Sequence, residues 1–319
     1  MRDRVEGREE SRERAAGSGL RIGVVVAAFL MQSWPAVAQQ DFSRVAIETT
    51  SLGSGLAMMV GAGGNLGVSF GPDGVFLVDD QYAPMTPKIR AAVRDLSPQP
   101  IRFVLNTHWH GDHTGGNENL GGGGVLILAH HAVRARMSSE QFMAAMGRPI
   151  PPSPKEALPV VTFEEGVTLH LNGQTIEAIH VAPAHTDGDS LVYFREADVL
   201  HMGDTFFAGM YPFFDASSGG RIDGMIDAVT RGLEIAGPKT RIIPGHGPLS
   251  SRSELEATRE MLVEVRDRVR LLVQQGMDRE TAIAARPARA FEERYGGGFM
   301  TADRFVGLVY DNLRTEKAP

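Results

Sequence analysis

The chain has 319 residues, of which 42% are hydrophobic and 22% charged, so it is long enough for one large core or two modest ones and is neither disordered nor fibrous in composition. It contains no cysteine, which excludes disulfides, thiolate nucleophiles, cysteine-ligated zinc fingers and iron–sulfur clusters. The net charge of -7, without a Lys/Arg run in the body of the chain, argues against a nucleic-acid partner.

Residues 1–38 read as a secretory signal: Arg2, Arg4, Arg8, Arg12 and Arg14 precede an apolar stretch at 20–31, and Ala36-Val37-Ala38 offers a cleavage site. The apolar stretch is shorter than the roughly 18 residues that span a bilayer, so no stable membrane anchor is expected after cleavage. Acidic residues at Asp3, Glu6, Glu9, Glu10 and Glu13 are unusual in such a leader and leave the true translation start open. The expected location is periplasmic or secreted, with the mature protein running over 39–319.

Short apolar runs at 56–60, 65–70 and 75–79 predict a meander of antiparallel strands, with Gly71-Pro72-Asp73-Gly74 as a tight turn. Gly61-Ala62-Gly63-Gly64 lacks the following Gly-Lys-Ser/Thr of a phosphate loop and reads as a plain connection. A helix over 87–96 leads to a buried strand over 101–106, and a second helix is predicted over 129–146. Strands follow at 160–163, 167–171, 175–181, 191–194 and 199–202, then a helix over 223–236 and a short strand over 241–244. Ser251 and Glu254 form a capping box that opens a long helix to about 275, with Leu262, Val265, Val269 and Val273 on one face. Helices near 279–285 and 302–313 close the chain. Two successive rounds of strands and then helices suggest two sheet-and-helix halves in one domain.

The chemistry concentrates in Thr107-His108-Trp109-His110-Gly111-Asp112-His113-Thr114-Gly115-Gly116, where three histidines and one aspartate fall within six residues. In an extended segment side chains at i and i+2 share a face, so His108 and His110 can meet one metal, while the Gly-rich turn redirects Asp112 and His113 toward a second. Three further polar residues stand at strand ends flanked by Gly or Pro: His185, Asp204 in Gly203-Asp204-Thr205, and His246 in Gly245-His246-Gly247. Asp79 is a candidate buttress for the metal loop, and His201 a core residue or a support near the site. His130, His131, His170 and His180 show no ligand spacing. Phe206, Phe207 and Tyr211, directly after Asp204, are candidates for an apolar substrate wall, with Phe213 and Phe214 beside them. Trp109 points away from its flanking ligands into packing.

The pattern His-x-His-x-Asp-His, followed by His185, Gly203-Asp204-Thr205 and Gly245-His246-Gly247, resembles the metallo-β-lactamase superfamily of dinuclear metal hydrolases, over about residues 54–248. The resemblance implies an α+β fold, a four-layer αββα sandwich with metals at one edge between the sheets, here with a helical C-terminal extension from about residue 251. It implies His108, His110 and His185 on the first metal, Asp112, His113 and His246 on the second, and Asp204 bridging both. The best-known β-lactamases of this superfamily place a cysteine at the Asp204 position, so this chain resembles the aspartate-bridged branch that includes glyoxalase II. Two zinc ions are the expected cofactors, with iron or manganese as alternatives because a carboxylate is a harder ligand than a thiolate. The implied activity is opening of an amide or ester carbonyl by a metal-bridging hydroxide, with Asp112 orienting it. A small-molecule β-lactam is placed first as substrate, a lactone or thioester second, and products of quinone or alcohol oxidation third. A di-iron oxidoreductase or a metal-binding module without turnover is the reading from another class. Oligomeric state is not legible in the sequence.

Overall fold

The computed structural model describes residues 41–315, which belong to one compact unit; the predicted leader lies outside the described residues. The first half of the chain builds a seven-stranded sheet. Strands β1 (Glu48–Gly53), β2 (Leu56–Val60), β3 (Leu66–Gly71) and β4 (Gly74–Val78) form an antiparallel meander. Helix α1 (Thr86–Leu96) then crosses to β5 (Ile101–Asn106), which pairs parallel to β4. Two short helices, α2 (Gly111–Thr114) and α3 (Asn117–Gly121), precede β6 (Leu126–His130). Helix α4 (His131–Met137) and a separate hairpin of β7 (Gln141–Met143) and β8 (Arg148–Ile150) lead to β9 (Val161–Phe163), so the sheet order is β1-β2-β3-β4-β5-β6-β9.

The second sheet follows from β10 (Gly166–Leu171), β11 (Gln174–His180), β12 (Ser190–Phe194) and β13 (Val199–His201), all antiparallel. Helix α5 (Ile222–Ile235) crosses over to β14 (Arg241–Ile243), parallel to β13, and β15 (Ser250–Ser251) closes the edge. Helices α6 (Arg252–Gln274), α7 (Arg279–Ala284), α8 (Glu292–Tyr295) and α9 (Ala302–Thr315) form the C-terminal extension. The Ser251–Glu254 capping box is formed at the start of α6.

Strand alternation explains the layering. In β4, Phe76 and Val78 face the second sheet, where they join Ile176, Val192 and Phe194, while Val75 and Leu77 face α1 through Ile89 and Val93. In β12, Val192 and Phe194 enter the same inter-sheet core, and Leu191 packs outward with Leu200 and Ile242 against α5, α6 and α9. The result is two sheets face to face with helices on both outer faces.

Two elements differ from the sequence reading. Residues 129–146 are not one helix: Leu126–His130 is a strand, only His131–Met137 is α-helical, and Gln141–Ile150 holds the hairpin, with a 3-10 turn at Ala144–Met146. The parallel slot beside β5 draws Ile127, Leu128 and Ala129 into the sheet, and that pairing overrides the helical propensity of the Ala- and Met-containing segment. Strand β1 has no counterpart in the sequence reading, because its residues are mostly exposed and carry no buried alternation; it is an edge strand held by pairing with β2.

Candidate metal centre

Seven side chains converge at one end of the sandwich, each delivered by a strand terminus. Strand β5 runs out at Asn106 into an extended stretch carrying His108 and His110, and the single turn of α2 then swings Asp112 and His113 to the same place. His185 follows β11, Asp204 sits in a 3-10 turn directly after β13, and His246 follows β14. Three sets of donor atoms lie within 4.8 Å of one another: His108, His110 and His185; His108, His113 and Asp204; Asp112, His113 and His246.

Asp204 is central. Its Oδ2 lies 3.9 Å from His108 Nε2, 3.5 Å from His185 Nε2 and 3.5 Å from His246 Nε2, and its Oδ1 lies 3.1 Å from His113 Nε2. Asp112 Oδ2 stands 3.2 Å from His246 Nε2 and 3.6 Å from His113 Nε2. His110 Nδ1 and His185 Nε2 are 2.9 Å apart.

The outward nitrogen of four rings is occupied, which fixes the inward one. His113 Nδ1 is 2.8 Å from Asp79 Oδ2, His110 Nε2 is 3.2 Å from Asp215 Oδ2, His185 Nδ1 donates to the carbonyl of Phe213 at 2.8 Å, and His108 Nδ1 is 3.1 Å from the Thr107 hydroxyl. Such outer partners orient imidazole ligands and raise their basicity. Asp79 also accepts from the Thr107 amide and hydroxyl, at 2.8 Å each, and holds a left-handed φ of 63°. That conformation is uncommon outside glycine and is tolerated by Asp, and it locates backbone strain directly beneath the metal loop.

The donor set fits divalent cations. His108 Nε2, His113 Nε2 and Asp204 Oδ1 are buried without a hydrogen-bond partner and all face the common centre. Burial disfavours the charge on Asp204, but His113 and His246 outweigh it and hold the carboxyl well below its ordinary value. Burial and neighbouring imidazoles push His108 well down and bring His185 to about 4, so these two rings are neutral and have lone pairs to give. Burial opposes charge on His246 too, yet Asp204 and Asp112 lift it to about 9. The buried Asp204 and the half-buried Asp112 thus draw protons onto facing imidazoles, and cations would replace those protons when the site is filled.

Glycines bring the walls close. A Cβ on Gly64 would overlap the His113 ring, and one on Gly245 would overlap Asp204 Oδ1. The Gly61–Gly64 connection therefore packs against the metal loop, with the Gly64 amide donating to the Asp112 carbonyl at 3.0 Å. Asn65 next to it donates to the carbonyls of Pro244 and Gly247 at 2.9 Å, tying the first sheet to the His246 loop.

His201 is fully buried, with Nε2 3.0 Å from the Asn65 carbonyl and Nδ1 accepting from the Gly203 amide; it supports the Asp204 turn and joins none of the three donor sets. Trp109 packs with Ala129, Val133 and Met137 and donates from Nε1 to Ser218 Oγ. The predicted aromatic wall needs correction. Phe206 and Tyr211 lie in the core outside the second sheet, where the Tyr211 ring stacks on Phe305 at 5.2 Å and its hydroxyl donates to the Ala288 carbonyl. Phe206 has extended backbone, so consecutive side chains point to opposite sides. Phe206 takes the core, and Phe207 stacks on His246 with centroids 5.4 Å apart.

Sequence reasoning misses two functional residues, Asp215 and Asp189. Asp215 is 105 residues from His110, so no local signal marks it. Asp189 accepts from the amides of His185 and Thr186 and from the Thr186 hydroxyl, at 2.6–2.8 Å, and so shapes the loop that presents His185. Its place three residues after Thr186 is a readable turn signal.

The metal-facing residues floor a cavity of about 1140 Å³ whose sides are the β7–β8 hairpin, Phe207, Phe213 and residues of the C-terminal extension. This exceeds the roughly 300–1,000 Å³ of ordinary small-molecule sites.

Among known proteins, the chain is similar to 2,4-dinitroanisole O-demethylase subunit alpha of Nocardioides sp. (29% identical over 144 residues, 44% of this chain and 40% of that protein). It is also similar to a hydroxyacylglutathione hydrolase of Synechococcus sp. (36% over 115 residues, 34% of this chain and 38% of that protein). The chain thus spans about two fifths of the length of these curated relatives. In fold it resembles a metallo-beta-lactamase from Pontibacter korlensis (21% identity, TM-score 0.56, covering 68% of this chain and 98% of that one). A stereoselective inverting sec-alkylsulfatase from Pseudomonas sp. is also similar in fold (17% identity, TM-score 0.62, covering 83% and 50%). Residues 63–267 match the family described as the Metallo-beta-lactamase superfamily, and with the strand-end His/Asp cluster in place the chain belongs to that superfamily.

Proposed function

We propose that the protein is a dinuclear zinc hydrolase of thioester or ester carbonyls. The observation that carries this reading is the all-nitrogen and oxygen donor set with Asp204 at its centre, beneath a cavity wide enough for a substituted acyl group. The named activities of similar proteins support it, since hydroxyacylglutathione hydrolases and an atrochrysone carboxyl ACP thioesterase of Aspergillus terreus are among them. The β-lactam reading of the sequence rests on the expected export, and the likeness to solved β-lactamases, at 16–21% identity, shows the fold alone.

His108, His110 and His185 would hold one ion, and Asp112, His113 and His246 the other, with Asp204 shared. Bound there, two divalent ions would supply Lewis acidity, polarising a substrate carbonyl and making water a stronger acid near neutral pH. Asp112 is the more exposed of the two carboxylates, at 23% against 5% for Asp204. Its Oδ2 faces His113 and His246, which leaves Oδ1 to hold the proton of an attacking water. Phe207 and Phe213 flank the cavity floor and exclude bulk water from the reacting carbonyl. No side-chain nucleophile is required, so no acyl-enzyme accumulates.

Protein purified without added metal should carry two zinc ions by elemental analysis. The same sample should open a thioester or a lactone with kcat/KM at least about tenfold above that for a chromogenic cephalosporin. The reverse order would return β-lactam opening to first place, and dominant iron would overturn the zinc assignment.

A further inference from the structure

An aromatic path leads from the metal centre to a cation on the C-terminal extension. The Phe207 ring lies nearly parallel to His246, with 13° between the planes; it also neighbours His185 and, away from the metal centre, Phe299, with centroids 6.0 Å apart in each case. Phe299 is 55% exposed and lines the cavity, and its carbonyl accepts from Arg304 Nη1 at 3.5 Å. Arg304, in the first turn of α9, lines the same cavity, and no ion pair among the described residues engages it. Its cationic neighbour on that wall, Arg279, is already matched: Arg279 Nε lies 2.9 Å from Asp311 Oδ2. Of the extension residues that line the cavity, Arg304 is thus the positive charge left without a carboxylate, at the end of an apolar wall that begins at His246.

We propose that Arg304 selects substrates that carry an anionic group at the end of an apolar acyl or aryl body whose carbonyl reaches the metal end. The inference rests on the hydrolase reading above and adds the substrate class. An exposed guanidinium forks onto a carboxylate or phosphate with two parallel hydrogen bonds, whereas a neutral terminus leaves it facing water. Phe207 and Phe299 line the stretch between, and Asp112, Asp204 and His246 share one cavity of about 1140 Å³ with Arg304. The selecting group lies outside the sandwich, on a helix the metal-binding residues do not share.

The test compares 4-nitrophenyl hydrogen adipate with 4-nitrophenyl hexanoate on the metal-loaded protein. The pair shares its leaving group and acyl length and differs in the terminal charge. The wild type should prefer the adipate by about tenfold in kcat/KM, with the difference in KM and shrinking as salt rises. Arg304→Gln should bring the ratio toward one, and Arg304→Lys should retain part of it; thermal melting verifies that both variants are folded. A wild-type ratio near one, or a ratio unchanged in Arg304→Gln, overturns the proposal. If neither ester is opened, the hydrolase reading of the site is what fails. Calorimetric titration with the corresponding 4-nitrophenyl thioethers, carboxylate-ended and alkyl-ended, then reads the same contrast without turnover. Equal affinities there overturn the role of Arg304.

Discussion

At the scale of single residues, the centre depends on groups that lie outside the donor sets. Asp215 is an example: besides His110 it accepts from Ser217 and Ser218, and these contacts with His110 hold its carboxyl below the ordinary carboxylate range despite burial. Asp215→Asn keeps the shape but removes the charge that anchors His110. Outer partners of this kind are worth about 10–100-fold in metal affinity, so competition against a chromophoric chelator should show a loss in that range with little change in secondary structure. An unchanged affinity would mean that His110 is oriented by packing alone. The ligand residues themselves are legible in the sequence, because three histidines and an aspartate in six residues have few other uses. Asp215 is not, since its role exists only where the loop after Asp204 folds back on the loop after β5.

At the scale of elements, the first sheet and the second meet along a seam that also carries histidines remote from the metals. His130, at the end of β6, stacks face to face on His180, at the end of β11, with centroids 3.7 Å apart and planes 3° from parallel. Burial, with His180 and His131 adding repulsion, pushes His130 down to about 4, and burial also lowers His180; Asp187 opposes both shifts. An unfolded histidine takes a proton near pH 6.5, so between that value and about 4 the unfolded chain binds more protons than the folded one. The contribution of this pair is complete above pH 6.5 and is lost as pH falls toward 4. In urea titrations the midpoint should drop between pH 7 and pH 5, and His180→Phe, which keeps the stack and removes one titrating ring, should lessen that drop. An identical drop in the variant would place the acid sensitivity elsewhere. Most elements are readable from apolar runs and Gly/Pro punctuation, including the meander, β5, α5 and the capped α6. The segment 129–146 is not, because a strand that pairs only with a distant neighbour leaves a weak periodic signal in its own residues.

At the scale of the whole molecule, the metal centre is an assembly of both halves and the cavity above it also needs the extension. Among the described residues no helix is long and apolar enough to cross a membrane. We hold to export as a proposal, from the basic residues, the apolar stretch and Ala36-Val37-Ala38. N-terminal sequencing of protein recovered from outside the cytoplasm should begin at Gln39, and an uncleaved cytosolic product would refute it. The absence of cysteine has two consequences here: it leaves no thiol to mispair in an oxidising compartment, and it leaves a carboxylate, Asp204, at the centre of the donor cluster. The ligand types, the aspartate-bridged branch and the two-sheet layering were determined by the sequence alone, because metal donors and strand periodicity are written locally. Which aromatics line the cavity, which carboxylates hold the imidazoles and which arginine lines the cavity unpaired were decided only by the tertiary structure. Those facts depend on side-chain direction and on contacts between residues far apart in the chain, and no local pattern encodes either.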